Sequence, residues 1–386
     1  MTVYWSWPSM ALYICMGLIS MKAVSSVKGI EYKQGRKVKL INTAYTIWLM
    51  TWAFITVFRK VDYNIGGSDA IAYVNYFQDC LIKNLDTLYA HHLDKGFQLV
   101  TKCVRLITAE YRIYFLVIYT VIILAYIYFI NEIAPSGICY EPMILIFFVY
   151  LRGFTTIRTN ISNAFFLIAL VSLYKKDKIK TLFFFVLSLG MHIASFWYAP
   201  FFVFYYLYYN KKLKLSKWVG LYGGSLVGAK VLQQLLIKVT SLRGAYASYA
   251  AKSLNSSFFS NGWKIAFGQI LLLVSLVAFN RCIQKSINQY IPQNRERYRF
   301  IYLLCAYDFL MIPVNYILGI WRGYENLYIP RLIMWGILMQ AISNCLTAKS
   351  KYIFRAIMLI AFMGWMVFRI EATYNSSCLM PYIFDF

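Results

Sequence analysis

A few residues in this chain have the types and surroundings to do chemistry on a charged or sugar-like substrate. His192 stands inside a long apolar stretch. There a ring that titrates near neutral pH is costly to bury and able to hold or move a proton. Its plainer reading is a histidine hydrogen-bonded to a neighbouring helix. Arg152 and Arg158 flank Gly153 to Ile157 between two apolar runs, and Arg243 and Arg331 belong to later connecting segments. A guanidinium is a planar fork that grips phosphate at two points, as lysine does not. Four such forks around one cavity would clamp a diphosphate. The competing reading is contact with lipid headgroups. Asp69 follows Gly66-Gly67-Ser68, where paired glycines allow a tight turn, and precedes Tyr73, Tyr76 and Phe77. A carboxylate there could accept a proton from a sugar hydroxyl while the rings stack on sugar faces. It could equally cap the helix that begins there. Asp308 lies inside an apolar run and needs a basic partner.

These residues must be positioned by helices in a membrane. Of the 386 residues 60% are hydrophobic and only 14% charged, too few charges to cover a soluble surface of this size. Long apolar runs alternate with short basic clusters, and in lipid such runs can satisfy their backbone only as helices. The net charge of +24 does not indicate a nucleic-acid binder. Its bases sit in the short connections that orient membrane helices, and no basic stripe remains once these are set aside. The eight cysteines are scattered without a Cys-x-x-Cys or a Cys/His cluster, and no carboxylates pair at ligand spacing. Neither a metal nor another cofactor is expected. Cys80 and Cys103 could pair if their segment faces an oxidising compartment.

The fold class expected is all-α: a polytopic membrane bundle of about twelve transmembrane helices, one domain over residues 1–386. The first run, Tyr4 to Met21, lacks a preceding basic region and reads as an anchor. Lys22 to Lys39 then form an inner loop. A long external loop covers about 59–112 and a second covers about 238–262. The turn after the third run carries Glu132 and Glu141 and no base, so its inner placement is weakly marked. Thr181 to Tyr209 is too long for one span of about 20 residues and is interrupted at Met191-His192 and Pro200. It reads as two short helices meeting near His192. Gly220, Gly223, Gly224 and Gly228 suggest close helix packing.

Taken in order, several of these segments resemble the EpsG/Wzy-type polymerases of bacterial O-antigen, capsule and exopolysaccharide. The resemblance rests on Gly67-Ser68-Asp69 with Tyr73, Tyr76 and Phe77, and on Asp94-Lys95-Gly96-Phe97. It continues through Ile157-Arg158 with Ser162-Asn163-Ala164, then Gly190-Met191-His192-Ile193-Ala194-Ser195 before Pro200, and Met380-Pro381-Tyr382. It is strong over about residues 40–210. The sequence departs from the pattern at Asp94, where the family more often has Glu, and at Thr159-Asn160, where Gln is commoner.

The resemblance implies a glycosyltransferase with a C-type helical fold in the bacterial cytoplasmic (inner) membrane, its site facing the periplasm or exterior. It would move a growing glycan from undecaprenyl diphosphate onto the next lipid-linked repeat unit. Asp69 and His192 are then the catalytic candidates, with the choice of base left open. Arg158, Arg243, Arg331 and Arg152 would bind diphosphate, and Tyr73 and Tyr76 would face glycan. Membrane lipid and a chain-length regulator protein are candidate partners; nucleic acid is not. A flippase for lipid-linked oligosaccharide and another polytopic transferase, such as an O-antigen ligase, are the alternatives.

Overall fold

A computed structural model describes residues 4–34, 42–81, 93–209, 215–240, 263–288, 292–317, 325 and 327–385. Among these residues the chain is helical, with isolated β-bridges and no strand. Four helices are long and apolar enough to cross a membrane: α1 (Trp7–Gln34), α5 (Tyr111–Ile133), α7 (Ile157–Tyr174) and α15 (Ala348–Glu371). A fifth span is added if α11 (Trp263–Ala278) and α12 (Asn280–Asn288), bent by 73°, act as one. The helices divide into two compact units, Met1–Phe196 with Ser343–Phe386, and Trp197–Ile342.

In the first unit, α5 packs against α2 (Thr43–Val57) and α7, and α1 packs against α2. The interior is aromatic. The Trp52 ring meets Tyr150 at 4.4 Å, Phe147 at 5.1 Å and Trp48 at 5.2 Å, the last two edge to face as ring quadrupoles prefer. The fully buried Arg59 guanidinium lies 3.7 Å over the Phe154 ring and 5.1 Å from Phe115, so ring faces take the place of water around it.

The first helix runs further than the expected loop at Lys22 allows. It continues to Gln34 because Lys28, fully buried, has partners: Glu31 at 2.6 Å and the Asn131 carbonyl at 2.7 Å. The acidic turn after α5 is neutralised in the same way. Glu132 pairs with Lys175 at 3.1 Å and Glu141 with Arg355 at 2.5 Å. The turn therefore lies at the same end of the unit as two basic clusters, although its own sequence carries no base.

Among its described residues the segment 59–112 contains α3 (Ala70–Asp79) and α4 (Lys95–Ile107) before α5 begins at Tyr111. After α6 (Ile146–Arg152) the chain turns into α7 and then α8 (Lys178–Met191). The helical path breaks at His192, whose backbone is extended, and a 3-10 turn over Ile193–Tyr198 leads to α9 (Ala199–Tyr208). Pro200 sits in the first turn of α9, where its missing N–H costs nothing. Two short helices with a break at His192 thus replace one long span.

The second unit also contains α10 (Leu215–Thr240), α13 (Pro292–Ile317) and α14 (Tyr328–Ser343), with α9, α10 and α11 packed on α13. Asp308, fully buried on α13, has the partner its charge requires. Arg331 Nε lies 2.8 Å away, and Gln269 Nε2 donates to the same carboxylate oxygen at 2.9 Å. The α10 glycines do not make the expected close contact. No described atom lies within 4 Å of where a Cβ would stand at Gly220, Gly223, Gly224 or Gly228. The close crossing is elsewhere, between α4 and α8, where a Cβ on Gly96 would lie 2.7 Å from the carbonyl carbon and oxygen of Gly190.

Candidate active site

The Gly96–Gly190 crossing sets up the site. The missing Cβ of Gly96 lets these backbones approach so closely, and the approach carries Asp94, at the start of α4, onto the break after α8. Asp94 Oδ2 accepts from Arg158 Nη1 at 3.2 Å and lies 3.1 Å from His192 Nδ1. Its other oxygen accepts the Ile193 N–H at 3.3 Å. One carboxylate therefore joins three segments of the chain. The side chains of Arg158, Asp94 and His192 are only 17%, 19% and 13% exposed, enough to be reached from solvent but dry enough to strengthen their attraction.

Arg158 occupies the first turn of α7, after a turn closed by the Thr155 and Thr156 hydroxyls, which both donate to the Arg152 carbonyl, at 2.8 and 3.1 Å. Its Nε donates to the Tyr73 hydroxyl at 3.4 Å, while Nη1 serves Asp94. One turn further along α7, Ser162 locks α7 onto the chain break. Its hydroxyl lies 2.6 Å from Ser195 Oγ and 2.7 Å from the Ser188 carbonyl, and Ser188 returns a bond to the Ser162 carbonyl at 2.8 Å. These serines fix where His192 stands relative to Arg158.

Asp69 starts α3 but makes no side-chain cap hydrogen bond, so capping does not account for it. The Ser68 hydroxyl donates to its carboxylate at 3.4 Å, and its charge acts favourably on Arg158. The turn before it is tightly set. Gly67, at φ +118°, has no room for a Cβ against the Phe154 carbonyl. Its N–H donates to the Cys378 carbonyl at 3.0 Å, and the Ser68 N–H donates to the Ser377 carbonyl at 2.9 Å. The C-terminal segment thus pins the Asp69 turn beside the turn that presents Arg158.

Asp69, Tyr73, Arg158 and His192 accordingly gather in the first unit. Tyr73 and Tyr76 are both buried. The Tyr73 ring packs on Phe97 at 5.6 Å. Burial pushes the Tyr76 phenol up to about 12, so it stays neutral near physiological pH. Arg152 leans on Phe148 at 6.0 Å, and Arg369 approaches the same ring at 5.5 Å. Arg331 belongs to the second unit in its pair with Asp308, and Arg243 lies outside the described residues. The residue that sequence reasoning undervalued is Asp94. Its signal was present in the glycine two positions on and in the matching Gly190, but nothing local connects residues nearly a hundred positions apart.

A set of apolar helices long enough to span a membrane, holding a carboxylate shared by an arginine and a histidine, defines a helical membrane protein with a polar site. The EpsG family model matches residues 45–384, from α2 to the C-terminal segment. The chain belongs to the EpsG family, a family of Wzy-type polysaccharide polymerases. Neither a curated protein nor a solved structure matches it.

Proposed function

We propose that this protein joins repeat units of a bacterial surface polysaccharide, taking the growing glycan from undecaprenyl diphosphate and transferring it to a hydroxyl of the next carrier-linked unit. The observation that carries the reading is the Asp94 carboxylate held between Arg158 and His192, with Asp69 close enough to act on Arg158.

Asp94, as a carboxylate, only accepts hydrogen bonds, so the His192 tautomer it favours carries its proton on Nδ1. Nε2 then presents a lone pair. In this reading Nε2 takes the proton from the acceptor hydroxyl, and Asp69 orients that hydroxyl. The hydroxyl oxygen forms the new glycosidic bond as the bond between the sugar and diphosphate breaks. Undecaprenyl diphosphate leaves, its negative charge stabilised by Arg158, with Arg152 as a further candidate. Tyr73 supports the Arg158 guanidinium, and Tyr76 remains a candidate for the glycan side. Both substrates are amphipathic lipids. This suits a site in a bundle of about twelve spans with a C-type fold, opening at the outer face of the cytoplasmic membrane.

The test is a gel of surface glycans and carrier-linked lipids from cells lacking this chain. A polymer ladder that collapses to single repeat units still reaching the outer face is the expected result. Single units accumulating on the cytoplasmic face would identify a transporter and overturn the transferase reading.

A further inference from the structure

The thirteen residues of α4, Lys95–Ile107, contain no acid and divide sharply by type around the helix. At 100° per residue, Leu106, Leu99, Cys103 and Ile107 fall on one continuous arc that runs into the buried Val104 and Phe97. Lys95, Lys102, Gln98 and Arg105 fall on the opposite arc. Phe97 and Val104 are covered by the protein, whereas Leu99 is 63%, Leu106 73% and Ile107 85% exposed, with Cys103 exposed between them. An apolar stripe of this kind is costly in water, and a helix of thirteen residues is too short to span a bilayer. Basic residues facing away from an apolar arc are the pattern of a helix lying flat in a membrane surface, its stripe among the acyl chains and its cations at anionic headgroups.

We infer that α4 is an in-plane helix seated in an anionic lipid surface, and that it sets the depth of the site. The site carboxylate Asp94 immediately precedes its first residue, and Gly96 clamps it to α8. A helix held at the boundary between acyl chains and headgroups therefore holds the Asp94–Arg158–His192 cluster at headgroup level. A lipid diphosphate presents its phosphates at that level. The inference rests on the membrane reading of the chain and not on its being a polymerase.

Cys103 provides a reporter on the stripe. With Cys15, Cys282 and Cys345 replaced by serine, it is the one cysteine left that is not buried. The chain is spin-labelled there and reconstituted in vesicles of phosphatidylethanolamine and phosphatidylglycerol. The label should collide with oxygen several-fold more, relative to a water-soluble nickel chelate, than a label at Lys102→Cys in the same background carrying Cys103→Ser. Equal exposure to nickel at both positions would overturn the inference. So would protection of Cys103 from both reagents, which would mean that protein covers the stripe. The unaltered chain gives a second measurement in vesicles with diazirine-bearing acyl chains. Adducts should fall on Leu99–Ile107 as well as on the exposed Ile353, Ile357 and Ile360 of α15. Adducts on α15 alone would refute the proposal. Polymerase activity enters neither readout, so either result leaves the proposed function to its own test.

Discussion

Gly96→Ala should disable the site, while Gly190→Ala, on the other side of the same crossing, should be tolerated. A Cβ on Gly96 would lie 2.7 Å from the Gly190 carbonyl carbon and oxygen and 3.0 Å from its Cα, all backbone atoms that cannot rotate away. A Cβ on Gly190 would meet the Gly96 Cα at 3.7 Å, an ordinary contact. Ordinary contact between such atoms begins at about 3.5 Å, so α4 must retreat by roughly 0.8 Å. Asp94 would move with it. Its bonds to His192 and Arg158, now 3.1 and 3.2 Å, would pass the length at which a hydrogen bond persists. Overpacking of this kind costs about 1–3 kcal/mol of stability. Losing a charge-assisted bond that orients a catalytic group costs about 1.5–3 kcal/mol, or roughly ten- to a hundred-fold in rate. The assay compares polymer ladders and membrane levels of the two variants, with Asp94→Ala as the reference. Gly96→Ala should match Asp94→Ala at normal protein level, and Gly190→Ala should match the unaltered chain. Equal activity of the two glycine variants would refute the idea that this contact positions Asp94.

Other substitutions probe the remaining supports. Arg158→Lys should reduce polymer by at least about ten-fold, because one ammonium cannot serve Tyr73 and Asp94 as Nε and Nη1 do; a normal ladder would show that charge alone suffices. In the second unit, Asp308→Leu or Arg331→Met alone should destabilise the detergent-solubilised protein by about 3–5 kcal/mol, and the double substitution should recover much of that loss. Additive losses in thermal melts would mean that the two charges do not compensate each other. Deleting residues 378–386 removes the carbonyl partner of Gly67, and with it the Arg112–Asp385 pair at 2.7 Å. Activity should fall more than protein level does, and a proportional fall would reduce the segment to a role in stability.

Much of this organisation is legible in the chain because apolar runs and breakers act locally. The break at His192 follows from a run too long for one span with Pro200 downstream, and α7 begins where Arg158 stands. The ordered motifs marked Asp69, Arg158 and His192, and they fold into one unit. What the chain hides is pairing across distance. Lys28 reads as a loop cation because nothing local shows that α1 continues through Glu31, its partner one turn on, or that the Asn131 carbonyl near the end of α5 reaches it. The acidic turn after α5 reads as poorly placed because its counter-charges arrive on α15 and at the end of α7. Glycines mislead when counted: the four on α10 have open space where a Cβ would stand, while single glycines on α4 and α8 make the decisive contact. Asp94 reads as a departure from the family pattern, yet it is the residue that joins Arg158 to His192.

The most direct test of the central claim uses purified protein in proteoliposomes supplied with a single undecaprenyl-diphosphate-linked repeat unit. The account predicts a ladder of longer carrier-linked glycans, with one undecaprenyl diphosphate released for each unit joined. Both should be lost in Asp94→Ala and His192→Ala variants that reconstitute normally. Units that stay single while crossing the bilayer, or a ladder unchanged in both variants, would contradict it.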